Sequence, residues 1–388
     1  MEFFVSVNFF LVAALAVAVC FLTAKWRKVF LLAVSLAFLV HFGGMTPYQL
    51  LFLFGLISAV FLTLAFARRR VYRLFSVIYF GLFLAFIIFK IHYSSSSSVS
   101  IVSVFGTSFL FLKLVHFVED FRVKKIEVPD FFGFINYIVF FPVFASGPVM
   151  RYRGFETEYN NPAILNHEVL LDSSIRILQG LLKKIILVGF LYDAVLTPLD
   201  AMSSGFFLFS VKTFAYSVMI YLDFSGYSDM SIGLARLFGF KVPENFSYPY
   251  LKRNLIEFWN SWHITFSNWL RDYLFMPCGK YLFRTRLKSS PLLIAGTSYM
   301  VTFLFCGFWH GGALNFVLWG LYHGLGLWAV KAFIEKSKKW NKSSFGTFFQ
   351  SRIGTGVSIC FTFIFVTVGW IFFVMDMKSL SILLSRIV

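Results

Sequence analysis

Three groups of polar residues stand inside otherwise apolar stretches of this chain, and their types suit proton transfer. The sharpest is Cys306-Gly307-Phe308-Trp309-His310-Gly311-Gly312, with Asn315 just beyond it and Tyr322-His323-Gly324 further on. His310 stands between two strongly apolar segments and is flanked by glycines, which permit close backbone approach and irregular backbone at membrane depth. A lone histidine on an apolar helix is ordinarily a packing residue. One set among Gly-rich breaks and next to a Trp is better explained by a site. The chemistry open to it is simple: a neutral imidazole, with an ordinary pKa of about 6.5, takes a proton from a hydroxyl, and the oxygen attacks an acyl thioester.

The second group runs from Asn254 to Tyr273. Leu255, Trp259, Trp262, Phe266, Trp269 and Tyr273 recur at three and four residues, which predicts one amphipathic helix with an aromatic stripe. Glu257, Asn260, Ser267, Asn268 and Arg271 fall opposite, and His263 lies at the edge between the faces. Its plain reading is a hydrogen-bonded histidine on an interfacial helix; its functional reading is the rim of a site. The third group is Tyr221-Leu222-Asp223-Phe224-Ser225-Gly226-Tyr227-Ser228-Asp229, followed by Arg236 and Pro243-Glu244-Asn245-Phe246. Asp223 and Asp229 are acid–base candidates, or else they belong to a polar loop following a helix. No Gly-x-Ser-x-Gly elbow, His-Glu-x-x-His motif or Walker loop occurs. The four cysteines (Cys20, Cys278, Cys306 and Cys360) are scattered, and His310 and His323 are too far apart in sequence to pair as ligands, so no disulfide framework or metal site is expected.

The elements that must hold these residues are membrane helices. Hydrophobic residues make up 59% of the 388 and charged residues only 14%, well below the roughly one-quarter of soluble domains. Spans of about 20 residues are expected near Phe3–Leu22, Val29–Phe42, Tyr48–Ala67, Leu74–Ile91 and Val99–Phe117. The net charge of +17 gathers in short clusters between them: Lys25, Arg27 and Lys28; Arg68, Arg69, Arg70 and Arg73; Arg122, Lys124 and Lys125. That is the pattern of cytoplasmic loops in a multi-pass protein rather than of a nucleic-acid binder, and it places the N-terminus outside. The other loops hold His41–Gln49 and the Ser94–Ser98 run.

Phe131–Phe144 is too short to span and meets Pro148 and Arg151-Tyr152-Arg153, which predicts a re-entrant segment. Ser174–Pro198 reads as a helix and Phe206–Phe224 as a span. Three late spans follow at Pro291–Trp309, Leu314–Ile334 and Val357–Phe373, with a polar linker at Lys336–Ser344. The expectation is an all-α polytopic protein of about nine to eleven membrane segments. It forms a single domain over 1–388, with N-terminal helices in 1–130, a core in 131–330, and a linker and last helix in 331–388. A straight helix from Lys288 carries His310 about 33 Å, to the far boundary of the membrane.

In this order the motifs resemble the membrane-bound O-acyltransferase family, in its bacterial cell-envelope branch. They are Phe140-Phe141-Pro142 with Ser146-Gly147-Pro148 and Arg151-Tyr152-Arg153; Asp223 to Ser228; Pro243 to Phe246; Phe258 to His263; Trp269-Leu270-Arg271-Asp272-Tyr273; and Trp309-His310-Gly311. The resemblance implies a ring of helices around a thin central partition with a tunnel, His310 as the catalytic residue, and His263 on the same tunnel. Asp223, Asn260, Arg271, Asp272, Trp309 and Asn315 become candidates for lining that tunnel or binding substrate. It also implies no permanently bound cofactor. The thioester donor is a substrate, either a phosphopantetheine carrier protein or acetyl-CoA, met at the cytoplasmic face of the bacterial inner membrane. A separate extracytoplasmic transferase is the expected partner, and the acceptor is a cell-envelope polymer.

Within the family, Asp223–Asp229 and Arg271–Pro277 are similar to the alginate-type acetylating branch. The short chain, Ser146–Pro148 with Arg151–Arg153, and the basic stretch Lys280–Lys288 are similar to the D-alanylating branch, which is favoured. A transporter of envelope precursors, or a scaffold for an outer-face enzyme, fits the composition as well.

Overall fold

The computed structural model describes residues 6–22, 24–67, 72–95, 106–127, 130–196, 205–338, 344–375 and 377–378. The expected start of the first span, Arg68–Arg70, most of the serine run, Pro198 and part of the Lys336–Ser344 linker lie outside these. Among the described residues the chain is helical and has no strand; an isolated antiparallel bridge joins Phe246 and Trp262.

Helices α1 (Val7–Leu22), α2 (Arg27–His41), α3 (Pro47–Ala67), α4 (Tyr72–Ser95) and α5 (Thr107–Arg122) follow the apolar runs. Then come α6 (Phe131–Val139), α7 (Tyr152–Asn160) and α8 (His167–Leu181), which runs on through wider π-helical turns at Leu182–Leu187 and Leu191–Leu196. After α9 (Phe206–Leu237) stand the short α10 (Leu255–Trp259) and α11 (Ile264–Leu270), then α12 (Met276–Phe283), α13 (Pro291–His310), α14 (Leu314–Ser337), α15 (Ser344–Gln350) and α16 (Arg352–Val374). Among the described residues, five stretches are long and apolar enough to cross a membrane: Pro47–Ala65, Phe207–Leu237, Pro291–His310, Leu314–Ser337 and Arg352–Phe373. The protein is a multi-pass membrane protein.

The chain gathers into two compact units, residues 1–189 with 222–244 and residues 190–221 with 245–388. The first unit has a Phe-rich core built on α2, α5, α6 and α7. Phe134, Phe140 and Phe155 are fully enclosed, with Phe155 stacked 5.0 Å from Phe240. The short segment after α6 is irregular and almost wholly buried in protein, which is where non-helical backbone is tolerated at membrane depth. Arg27, expected as part of a cytoplasmic charge cluster, is buried here instead. Its guanidinium donates to the Phe238 carbonyl at 2.6 Å, capping the end of α9.

Asp223 and Asp229 do not lie in a loop, as their polar neighbours suggested, because α9 continues through both. The reason is helix packing. A Cβ on Gly226 would meet the Gly180 carbonyl at 2.9 Å, so α9 and α8 touch backbone to backbone. That contact brings Lys183 to Asp229 at 2.5 Å, Arg176 to Asp229 at 2.7 Å, and Lys184 against Asp223.

In the second unit the same device is tighter. A Cβ on Gly307 of α13 would stand 2.1 Å from the Phe316 carbonyl, and one on Gly320 of α14 would stand 2.2 Å from the Phe303 carbonyl. Only glycine fits either place. Helix α13 then ends at His310, because Gly311 is extended and a Cβ there would strike the Phe316 ring at 2.3 Å. Replacing Gly307 or Gly320 with Val is expected to lower stability in detergent by about 1–3 kcal/mol or more, while Gly356→Ala, where no atom lies within 4 Å, stays near wild type. Thermal unfolding of the three purified variants checks this.

Candidate functional site

His263 does not sit on a continuous amphipathic helix. The aromatic stripe is real, with Trp259, Trp262, Phe266 and Trp269 all buried, but the helix breaks between α10 and α11. The extended residues Asn245-Phe246-Ser247 pair against the break: Ile264 N–H donates to the Asn245 carbonyl at 2.9 Å, and Ser247 N–H to the Ser261 carbonyl at 3.0 Å. His263 is thereby left at φ 44°, in the left-handed region. For a non-glycine residue that costs roughly 1–2 kcal/mol, which the surrounding hydrogen bonds must offset.

Asn245 supplies them. Its side-chain oxygen accepts from the Thr265 N–H at 3.3 Å and the Thr265 hydroxyl at 2.9 Å, and lies 3.1 Å from His263 Nδ1. A backbone N–H can only donate, so the Asn245 atom is the acceptor and His263 Nδ1 carries the proton. The lone pair of the ring is then on Nε2. His263 lies outside the five spanning stretches and is 3% exposed; burial first, and the neighbouring His310 imidazole second, hold its pKa well below the ordinary value. It is a neutral base with a set tautomer.

His310, the last residue of α13, is only partly buried. Four rings surround it: Trp309 at 4.8 Å, Phe373 at 4.9 Å, Trp319 at 5.4 Å and Phe266 at 6.3 Å between centroids, all meeting edge to face. Phe266 is shared, since it also lies 5.0 Å from the His263 ring and 4.3 Å from Trp309. The structure therefore brings together His310, Trp309 and His263, as the sequence suggested. Aromatic rings thus pack around an imidazole that keeps part of its surface exposed, an arrangement suited to general base work on an entering hydroxyl.

The other candidates are spent elsewhere. Asn260 is exposed beyond the end of α10, and Arg271 pairs with its neighbour Asp272 at 3.0 Å on a π-helical turn. Asn315 donates to the Phe372 carbonyl at 3.0 Å, tying α14 to α16 near the His310 cage. Asp223 belongs to the first unit and is paired with Lys184. Nothing in the sequence pattern marks Asn245 or Phe266 as a site residue; the fold sets Asn245 against His263 and Phe266 against both imidazoles. Among the described residues no cluster of His, Cys, Asp and Glu has the makings of a metal site.

The membrane-bound O-acyltransferase family model matches residues 85–375. Several curated proteins align with the chain. A teichoic acid D-alanyltransferase of Streptococcus thermophilus is 30% identical over 270 residues, covering 67% of this chain and 64% of the relative. A probable alginate O-acetylase of Pseudomonas fluorescens is 32% identical over 276 residues, 69% of this chain and 50% of the relative. A peptidoglycan O-acetyltransferase of Helicobacter pylori is 31% identical over 250 residues, 64% and 44% respectively. The chain thus spans between 44% and 64% of the length of these three relatives.

Asn245→Ala removes the acceptor of three donors and is expected to cost about 1–3 kcal/mol, read by thermal unfolding in detergent. The depressed pKa of His263 has a consequence for acid stability. The unfolded chain binds this proton more readily than the folded one, so the contribution is complete above about pH 6.5 and declines as pH falls below it, by at most about 1.4 kcal/mol per pH unit. His263→Gln, which can still donate to Asn245, is therefore expected to show a smaller loss of stability between about pH 8 and about pH 5.5 than wild type. An unchanged pH dependence would count against the buried neutral ring.

Proposed function

This chain belongs to the membrane-bound O-acyltransferase family, and from that premise we propose that it transfers an acyl group from a thioester to a hydroxyl in building or modifying a cell-envelope polymer. The observation that carries the reading is the pair of imidazoles that both pack against Phe266, one buried with a set tautomer and one partly exposed. In the reaction, His310 accepts the proton of the acceptor hydroxyl as its oxygen attacks the thioester carbonyl. The new C–O bond forms, the C–S bond breaks, and the proton passes to the departing thiolate, leaving an ester, a free thiol and His310 as it began. We assign the buried, neutral His263 a supporting role, acting through Phe266, which packs against both imidazoles. The aromatic cage keeps water, the competing acceptor, from the thioester.

For the donor we favour a D-alanyl group carried on a phosphopantetheine protein, supported by the likeness of Ser146–Pro148 with Arg151–Arg153 and of the stretch Lys280–Lys288 to the D-alanylating branch. Acetyl from acetyl-CoA, destined for a polysaccharide or peptidoglycan, is the alternative, and relatives bearing both kinds of name align with the chain. Access from the bacterial cytoplasm to the donor side and a separate outer-face transferase complete the proposal.

Mass spectrometry of envelope polymers from cells carrying wild type or His310→Ala tests it and identifies the acyl group. The variant is expected to insert at normal level and to lose acylation by about 10²–10⁴-fold. Full acylation in His310→Ala would sink the proposal.

A further inference from the structure

One feature of the second unit stands apart from the histidines. Residues 276–291 contain no acid, yet Lys280, Arg284, Arg286 and Lys288 fall within nine positions. Among the described residues none of these four cations has an ion-pair partner. Lys280 and Arg284 are four residues apart, so they share one side of the helical turn at the end of α12. Both line an open groove of 610 Å³ formed by α12, the beginning of α13 and Lys331 of α14. Lys331 is already engaged, with its ammonium 2.8 Å from Glu335.

The rest of the groove is mainly apolar, lined by Phe275, Phe283, Pro291, Ile294, Ala295 and Tyr299. Phe283 is 62% exposed and Met276 45% exposed. Leu293, Val301 and Leu304 stand outward on α13, a helix of spanning length, so apolar surface continues from the groove along the membrane-facing side. Unpaired cations at the start of a span, above an apolar trough that runs along it, match the chemistry of one ligand class. A soluble anion would meet the cations and leave the apolar walls wet. A neutral lipid would cover the walls and leave the cations without a counter-charge.

We propose that this groove is a binding site for an anionic phospholipid of the leaflet at the Lys288 side, with its phosphate between Lys280 and Arg284 and an acyl chain along Ile294 and Ala295. The site does not depend on the acyltransfer reading. It places α12 as an interfacial helix anchored by headgroup charge at the entrance to the α13 span.

Native mass spectrometry of the purified full chain in neutral detergent, titrated with phosphatidylglycerol or phosphatidylcholine, tests the proposal. Each juxtamembrane cation is worth about fivefold in binding, so Lys280→Gln with Arg284→Gln is expected to weaken phosphatidylglycerol about 30-fold. Arg286→Gln with Lys288→Gln, which removes the same charge outside the groove lining, is expected to weaken it far less. Gly279→Leu keeps every cation. A Cβ there makes only ordinary contact, 3.5 Å from Ser298 Oγ, so the longer side chain projects into the trough and is expected to displace the lipid. Inorganic phosphate in large excess is expected to leave the lipid bound. The proposal is overturned by equal retention of the two lipids, by equal losses in the two double variants, or by unchanged binding in Gly279→Leu. Displacement of phosphatidylglycerol by phosphate alone, or loss of a carrier protein rather than of lipid in the groove variants, would overturn it too.

Discussion

The second unit depends on one contact, the backbone-to-backbone approach of α13 and α14 at Gly307 and Gly320. In lipid there is little hydrophobic drive between helices, so close packing of small residues has to supply the attraction. Here the approach is so near that a single methyl on either glycine would overlap a carbonyl oxygen. The consequence is positional. With α13 held against α14 to its last turn, the chain can end the helix at His310, turn at Gly311, and still have Trp319 of α14 and Phe373 of α16 against the imidazole. The cage is a by-product of the crossing.

The second histidine is positioned by a different means. His263 occupies a backbone conformation that costs energy, and Asn245 compensates by gathering two donors from Thr265 and one from the ring. The same oxygen that supports the strained backbone also sets which ring nitrogen bears the proton. Strain and tautomer are therefore coupled through a single side chain. Phe266, one turn later, touches both histidine rings, so the break in the helix and the end of α13 converge on one aromatic side chain.

Charge is used economically in both units. The carboxylates Asp223 and Asp229, which suggested acid–base chemistry, are held by Lys184, Lys183 and Arg176 across the Gly180–Gly226 contact. They fasten α9 to α8. Arg27 is drawn inside to a helix end. By contrast, the cations of α12 and the turn after it have no ion-pair partner among the described residues. The glycines and acids near residue 226 thus belong to packing, and the basic stretch after α12 faces outward.

Much was legible in the chain alone. Long apolar runs can hide their backbone polar groups only as helices, so spans at Tyr48–Ala67, Pro291–Trp309, Leu314–Ile334 and Val357–Phe373 followed from hydropathy, and α3, α13, α14 and α16 cover them. A histidine between glycines at the end of such a run marks His310 in the sequence alone. What the sequence misread were the two places where a distant segment overrides local preference. Periodicity predicted one helix from Asn254 to Tyr273, but Asn245–Ser247 pairs with it and breaks it at His263. Polarity left Asp223–Asp229 open between acid–base residues and a loop after a helix, but α8 packs against the stretch and supplies counter-charges to a segment that stays helical. Local pattern reports what a segment does alone. The placing of Asn245 and Phe266 against the histidines, and the pairing of Arg271 with Asp272, were decided by tertiary structure, because hydrogen bonds and ring contacts depend on which remote backbone comes within about 3–6 Å.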